Sequence, residues 1–286
     1  MHKPVLVKEV LEYLDPKPGE NFIDCTFGFG GHSLAILERN LPDGKVLGIE
    51  QDKEVLELAL KNKRLILIKN NFKNLKKIVK KYEFNRVSGI LFDLGISSWH
   101  FDKSNRGFSF QINEPLEMNC SENDLNAQEI INQWPEQELA RIFKEYGEER
   151  FPGRIARVIC EQRSKKQIKT TKQLVDIIEQ AIPRKHRYKK IHFATKVFQA
   201  LRIAVNDELN NLEKALPQAL DILEPGGRLV VISFHSLEDR IVKHFFKEEF
   251  KKNHLKILTK KPITPSEQEI DLNPRSRSAK LRAAEK

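Results

Sequence analysis

Three cysteines, Cys25, Cys120 and Cys160, are too few and too far apart in 286 residues for a disulfide framework or a zinc-ligand spacing. Long apolar runs are also missing. No stretch approaches the roughly eighteen residues of a membrane span, and the opening Met1-His2-Lys3-Pro4-Val5 has no signal-peptide core. There is no internal repeat and no low-complexity tract. Hydrophobic residues, 40% of the chain, are instead spread along its whole length beside 31% charged ones, which excludes wholesale disorder. The expectation is a cytoplasmic protein with a substantial core, no membrane partner and no bound metal.

Acidic residues are in deficit, giving a net charge of +10, and the imbalance is segregated along the chain. Residues 61 to 86 carry a net +9 and residues 150 to 196 a net +11, which leaves −10 for everything else. Residues 111 to 149, directly before the second basic block, carry −8. Such blocks favour an anionic partner without naming it.

The first third alternates strand and helix. Phe22 to Thr26 reads as a short buried strand, Val46 to Ile49 as a second ending on Glu50, Leu65 to Ile68 as a third, and Gly89 to Phe92 as a fourth ending on Asp93. Helical stretches fill the gaps, which argues for a parallel sheet covered on both faces. From about Asn113 the strand signal stops. Pro135 opens a helix with Leu139, Ile142, Phe143 and Tyr146 on one side, and Thr170-Thr171 caps another with Leu174, Ile177, Ile178 and Ala181 at helical spacing. A strand returns at Gly226 to Ile232 after a helix ending near Leu223 and Pro225. The helical block therefore reads as an insertion, residues 111–207, in a sheet domain made of residues 1–110 and 208–286.

Gly28, Gly30 and Gly31 stand between the first strand and the following helix, where glycines permit a tight turn and close approach of a ligand to backbone N–H groups. Glu50, 22 residues after Gly28 at the next strand end, is placed to accept ribose hydroxyls. An adenosine-containing cofactor follows. An NAD site needs a third glycine under its pyrophosphate, and Ser33 stands there; a phosphate-free cofactor such as S-adenosylmethionine has no such need.

The motifs Asp24-Cys-Thr-Phe-Gly-Phe-Gly-Gly-His-Ser33, Asp93-Leu-Gly-Ile-Ser-Ser98, Arg106-Gly-Phe-Ser-Phe110, Tyr146-Gly-Glu-Glu-Arg-Phe151, Phe198-Gln-Ala-Leu-Arg-Ile-Ala-Val-Asn206, Gly226-Gly-Arg228, Ile232-Ser-Phe-His-Ser-Leu-Glu-Asp-Arg-Ile-Val-Lys243 and Asn273-Pro-Arg-Ser-Arg-Ser278 occur in this order. Together they resemble the RsmH (MraW) family. The resemblance implies a class I methyltransferase, a Rossmann-like doubly wound α/β sheet with an inserted all-helical domain. It also implies transfer of a methyl group from S-adenosylmethionine to cytidine N4 in the decoding region of 16S ribosomal RNA in the small ribosomal subunit. The family's cofactor contacts fall on Gly30, Gly31, His32, Glu50, Phe72, Asp93 and His100. Glu50 replaces the usual Asp and His100 the usual Gln; Pro115-Leu-Glu-Met-Asn-Cys120 departs from Pro-Leu-Asp-Met-Arg-Met, and Pro152-Gly153 interrupts the segment after Phe151. An NAD-dependent enzyme, or an assembly factor that keeps the fold without turnover, are the alternatives.

A cytosine N4 amine is a poor nucleophile, so the enzyme must align it and stabilise the charge that develops on nitrogen. Asp93 is the candidate catalytic group, with Ser97 and Ser98 behind it. His235, Ser236, Glu238 and Asp239 sit too close in sequence for a hydrolase triad and read as a pocket edge or a helix cap, with Ser236 placed as the cap. On the helix after Phe72 the lysines fit a solvated face and an anion-binding surface equally well. In the insert, Arg154 and Arg157 share a face with Arg150, and Lys165 and Lys166 extend it toward Lys169 and the Arg184 to Lys190 loop with Tyr188. These are the candidate RNA contacts, gripping phosphates around a base splayed from the RNA. Arg275, Arg277, Lys280 and Arg282 read as a further basic tail.

Overall fold

The computed structural model describes residues 4–59, 62–121, 125–187 and 191–286. Among the described residues seven strands are formed: β1 (Asn21–Asp24), β2 (Val46–Glu50), β3 (Leu65–Lys69), β4 (Val87–Asp93), β5 (Leu223–Ser233), β6 (Lys256–Ile257) and β7 (Lys280–Glu285). They make one sheet in the order β3-β2-β1-β4-β5-β7-β6. The first five are parallel, whereas β7 runs antiparallel to β5 and to β6.

Parallel strands buried on both faces read as continuous apolar runs because consecutive side chains leave on opposite sides. Phe22, Leu91, Val230 and Ile232 point to a core shared with Val10 and Leu14 of the helix Val7–Leu14 and Ile36 and Leu37 of the helix Gly31–Arg39. Their neighbours Ile23, Phe92, Val231 and Leu229 enter the opposite core with Leu212 and Leu216 of the helix Glu208–Ile222 and Val242 and Phe246 of the helix Ser236–Lys251. The strand order reverses direction between β1 and β4. At that point the C-terminal ends of adjacent strands leave an open crevice, where doubly wound sheets bind ligands.

The chain divides into two units, residues 1–96 with 209–286, and residues 97–208. The second unit thus opens at Ser97, ahead of position 111. Among its described residues it is helical, with one isolated bridge between Pro115 and Thr170. The helices Glu136–Glu145, Pro152–Arg163, Thr171–Ala181 and Thr195–Asn206 bury Leu139, Phe143, Ile155, Ile159, Leu174, Ile178 and Leu201. Thr170 accepts the Gln173 N–H and Gln173 answers to the Thr170 N–H, a complete capping box. Pro152 does not interrupt its segment: it occupies the first turn of a helix, where its missing N–H costs nothing. Asn206 pins the divergent segment 115–120, donating to the Met118 carbonyl at 2.7 Å and accepting the Cys120 N–H at 2.9 Å.

The C-terminal segment corrects the basic-tail expectation in part. Arg275 and Arg277 are exposed in the 3-10 helix Pro274–Ser278, but Lys280 and Arg282 belong to strand β7, and Arg282, 8% exposed, is paired with Asp239 at 2.6 Å. Among the described residues no helix is long and apolar enough to cross a membrane.

Candidate functional site

β1 ends on Asp24, whose side chain is 1% exposed and doubly bonded. Its Oδ2 accepts the Ser33 hydroxyl at 2.7 Å and its Oδ1 the Thr26 N–H at 3.2 Å. Thr26 in turn accepts the Asp93 N–H at 2.6 Å, so the turn after β1 is stitched to the end of β4. Beyond the strand, Gly28 and Gly30 adopt φ of 54° and 78°, the left-handed region that side chains avoid. A Cβ on Gly30 would lie 2.6 Å from the Phe27 ring. Gly30 is also the N-cap of the helix Gly31–Arg39; its own N–H donates to the Phe27 carbonyl at 2.8 Å, while the N–H groups of the helix's first turn have no partner within the helix. Ser33 fills the place of a dinucleotide motif's third glycine with a hydroxyl bonded to Asp24, which a pyrophosphate site has no use for.

Glu50 closes the turn from the neighbouring strand. Its Oε2 accepts the Gly28 N–H at 3.0 Å, while its Oε1 accepts the N–H groups of Gln51 and Asp52 at 2.8 and 2.9 Å. The glutamate arm reaches across to the glycine turn. After β3, Asn71 donates to the Gln51 side chain at 2.9 Å, and the Phe72 ring meets Phe92 edge-on at 5.5 Å.

His32 and Asp93 form the charged centre. His32 is 5% exposed, and its Nε2 lies 3.4 Å from Asp93 Oδ2, an ion-pair distance without the alignment of a hydrogen bond. Asp93 Oδ1 and His32 Nδ1 are buried with no hydrogen-bond partner. Burial disfavours the imidazolium, but the close carboxylate of Asp93, then the charges of Asp24 and Glu269, outweigh it and hold His32 above its ordinary range. Burial raises Asp24, against the lowering effects of Ser33 and His32. Burial, reinforced by Asp24, pushes the Cys25 thiol well up, which makes it an unreactive core group.

Of the residues singled out in the sequence, Gly30, Gly31, His32, Glu50, Phe72 and Asp93 all stand at the C-terminal ends of β1 to β4 or in the turns and first helical residues that follow them. His100 belongs to the other unit; it is 4% exposed, hydrogen-bonded to Ser97 at 2.9 Å and packed edge-on against Trp99 and Phe108. Arg154, Arg157, Lys165 and Lys166 are exposed on and just after the helix Pro152–Arg163, and Arg157 is held by Glu161 at 2.9 Å. Tyr188, Lys189 and Lys190 of the neighbouring loop lie outside the described residues. The cap of the helix Ser236–Lys251 is His235, not Ser236: its ring accepts the Glu238 N–H while Glu238 returns to the His235 N–H. Thr26 and Ser33 are the site residues that sequence reasoning left without a role; a hydroxyl beside each strand-end aspartate was the available signal.

A family model described as the MraW methylase family matches residues 1–286. The chain is 47% identical to the ribosomal RNA small subunit methyltransferase H of Carboxydothermus hydrogenoformans, with 100% of this chain and 97% of that protein aligned. It is 46% identical to the protein of the same name from Heliobacterium mobile, over 100% and 98% of the two chains. A crystal structure of an rRNA methylase from Streptococcus thermophilus aligns over 100% of this chain and 98% of that one at 12% identity, with a TM-score of 0.46, too distant to carry an argument.

Proposed function

The chain belongs to the MraW methylase family, and from that premise we propose that it methylates the N4 amine of a cytidine in the decoding region of 16S ribosomal RNA. At the coarser level it is an S-adenosylmethionine-dependent ribosomal RNA methyltransferase, as its family and its relatives indicate. The observation that carries the cofactor assignment is the pair of buried, unpartnered atoms His32 Nδ1 and Asp93 Oδ1 at the switch point of the sheet. Buried polar atoms are rarely left without partners, and a ligand bearing both an ammonium and a carboxylate satisfies a site that offers both signs.

In this reading the Gly30 and Gly31 backbone and His32 hold the methionine end, Glu50 accepts the ribose hydroxyls, and Phe72 flanks the base. S-adenosylmethionine, when bound, supplies an electrophilic methyl group. The rest is positioning. Asp93, whose Oδ2 faces His32, is the group that accepts a hydrogen bond from the N4 amine, aligning it and stabilising the positive charge that grows on nitrogen. Arg154, Arg157, Lys165 and Lys166 grip phosphates around the target, in keeping with the net +11 of residues 150 to 196. The N4 specificity rests on the family resemblance. The test is transfer of labelled methyl to unmodified small-subunit particles followed by nucleoside analysis. N4-methylcytidine is the expected product; label in any other nucleoside overturns the proposal.

A further inference from the structure

Glu269 is remote in sequence from the glycine turn, in the helix Glu267–Leu272. Ser266 caps this helix by accepting the Glu269 N–H at 3.2 Å. Ser266-Glu-Gln-Glu269 has the spacing of a capping box, in which the glutamate carboxylate turns back to the cap's own N–H. Thr170 with Gln173 and His235 with Glu238 close such boxes. Glu269 spends its carboxylate elsewhere: Oε1 accepts the Leu6 N–H at 2.8 Å, joining the two ends of the chain.

What it holds in place is unusual. Leu6 is 1% exposed and sits at φ 56° and ψ 36°, a conformation leucine avoids, while its carbonyl caps the helix Val7–Leu14 by accepting the Val10 N–H at 2.8 Å. Two residues earlier the Pro4 ring lies directly on the glycine turn, so close that a Cβ on Gly31 would be 2.8 Å from its Cγ. Gly31 begins the helix that carries His32. The charged groups facing His32 come from three elements: Asp93 from β4, Asp24 from β1 and Glu269 from its own helix.

We propose that Glu269 is a positioning residue of the cofactor site: its carboxylate ties Leu6 so that Pro4 stays seated on Gly31. This rests on the reading of the glycine turn as the S-adenosylmethionine site. Loosening the tie lets the turn leave its binding geometry, and apparent affinity falls by the fraction of molecules still in that geometry.

Calorimetry of the full chain with S-adenosylhomocysteine tests it. Glu269→Ala is expected to weaken binding about tenfold, and Glu269→Gln, which keeps an acceptor oxygen, by about threefold or less. Ser266→Ala, which uncaps the same helix but leaves the tie, is expected to change it less than about twofold. The His32 imidazole, followed by NMR, should titrate at lower pH in both Glu269 variants and be unmoved in Ser266→Ala. If Glu269→Ala proves unfolded, Pro4→Gly carries the test, with the same weakening expected. Wild-type affinity in Glu269→Ala or Pro4→Gly overturns the proposal, as does equal weakening by Ser266→Ala. Failure of the wild-type protein itself to bind the probe overturns the cofactor reading, and this one with it.

Discussion

The two units hold their functional groups in opposite ways. In the sheet unit Asp24, His32, Ser33 and Asp93 are buried or nearly so and are fixed by contacts with one another and with backbone N–H groups. In the helical unit Arg154, Arg157, Lys165 and Lys166 are exposed on long flexible stems. Chemistry on a methyl group demands placement within a fraction of an ångström, which only a rigid, desolvated cluster supplies. Phosphate gripping tolerates loose geometry because it is summed over several screened charges. Substitutions should therefore act abruptly in the first unit and additively in the second.

The largest effect is expected at Asp93. Asp93→Ala removes both carboxylate oxygens but keeps the backbone N–H that Thr26 accepts, so the fold survives while methyl transfer drops by at least about a hundredfold. Circular dichroism with single-turnover kinetics checks this. A variant that retained more than a tenth of wild-type turnover would put the reacting amine elsewhere. Next comes Gly30→Ala, which must place a methyl 2.6 Å from the Phe27 ring at a φ of 78°. Its cost is about 1–3 kcal/mol of stability in denaturant titrations, together with weakened cofactor binding. If alanine were neutral there, the turn would lack the rigidity that sets the sheet unit apart.

Much of this contrast was legible in the sequence, and the reasons differ between elements. β1 to β5 announced themselves because two-sided burial writes uninterrupted apolar runs, and Glu50 and Asp93 because they terminate such runs. β7 was hidden: Lys280-Leu-Arg-Ala-Ala-Glu285 carries helix-forming residues and two basic groups, and it becomes a strand because β5 offers it an edge and Asp239 neutralises Arg282. β6, two residues long, exists only by pairing with β7. At the site, the Ser33 to Asp24 bond was invisible because Ser33 registers in sequence only as a missing glycine. The Glu269 to Leu6 tie joins residues 263 positions apart, which no local pattern encodes. The opening of the helical unit at Ser97 was missed because a strand signal fades gradually, whereas a packing boundary is set by which core each residue joins.

Acid–base behaviour provides a third, smaller test. His32 titrates above its ordinary value in the folded chain, because Asp93, Asp24 and Glu269 together outweigh burial. A folded-state imidazolium favoured in this way contributes stability that is fully present below the unfolded value, about 6.5. The contribution is lost as pH rises through the higher folded value. Asp24, also raised, works in the same direction. The stability difference between wild type and His32→Gln should therefore shrink as the pH is raised from the ordinary imidazole range upward. A difference that grew over that interval would show that His32 is held neutral, and the charged centre would have to be redrawn.

The smallest expected effects lie in the helical unit, where they should simply add. Replacing Arg154, Arg157, Lys165 and Lys166 together by alanine should leave the binding of S-adenosylhomocysteine unchanged. It should lower RNA affinity and reduce the steepness of its dependence on salt by up to about 3.6, four charges at roughly 0.7–0.9 each. Arg157 should contribute least of the four, because Glu161 already neutralises it at 2.9 Å and must release it before a phosphate can take its place. Arg157→Ala alone should thus shift the salt slope less than Arg154→Ala does, whereas Glu161→Gln should increase RNA affinity by freeing the guanidinium. Loss of RNA affinity in Arg157→Ala as large as in the quadruple variant would mean that one fixed contact dominates, and the second unit would then recognise its target by the same kind of rigid geometry as the first.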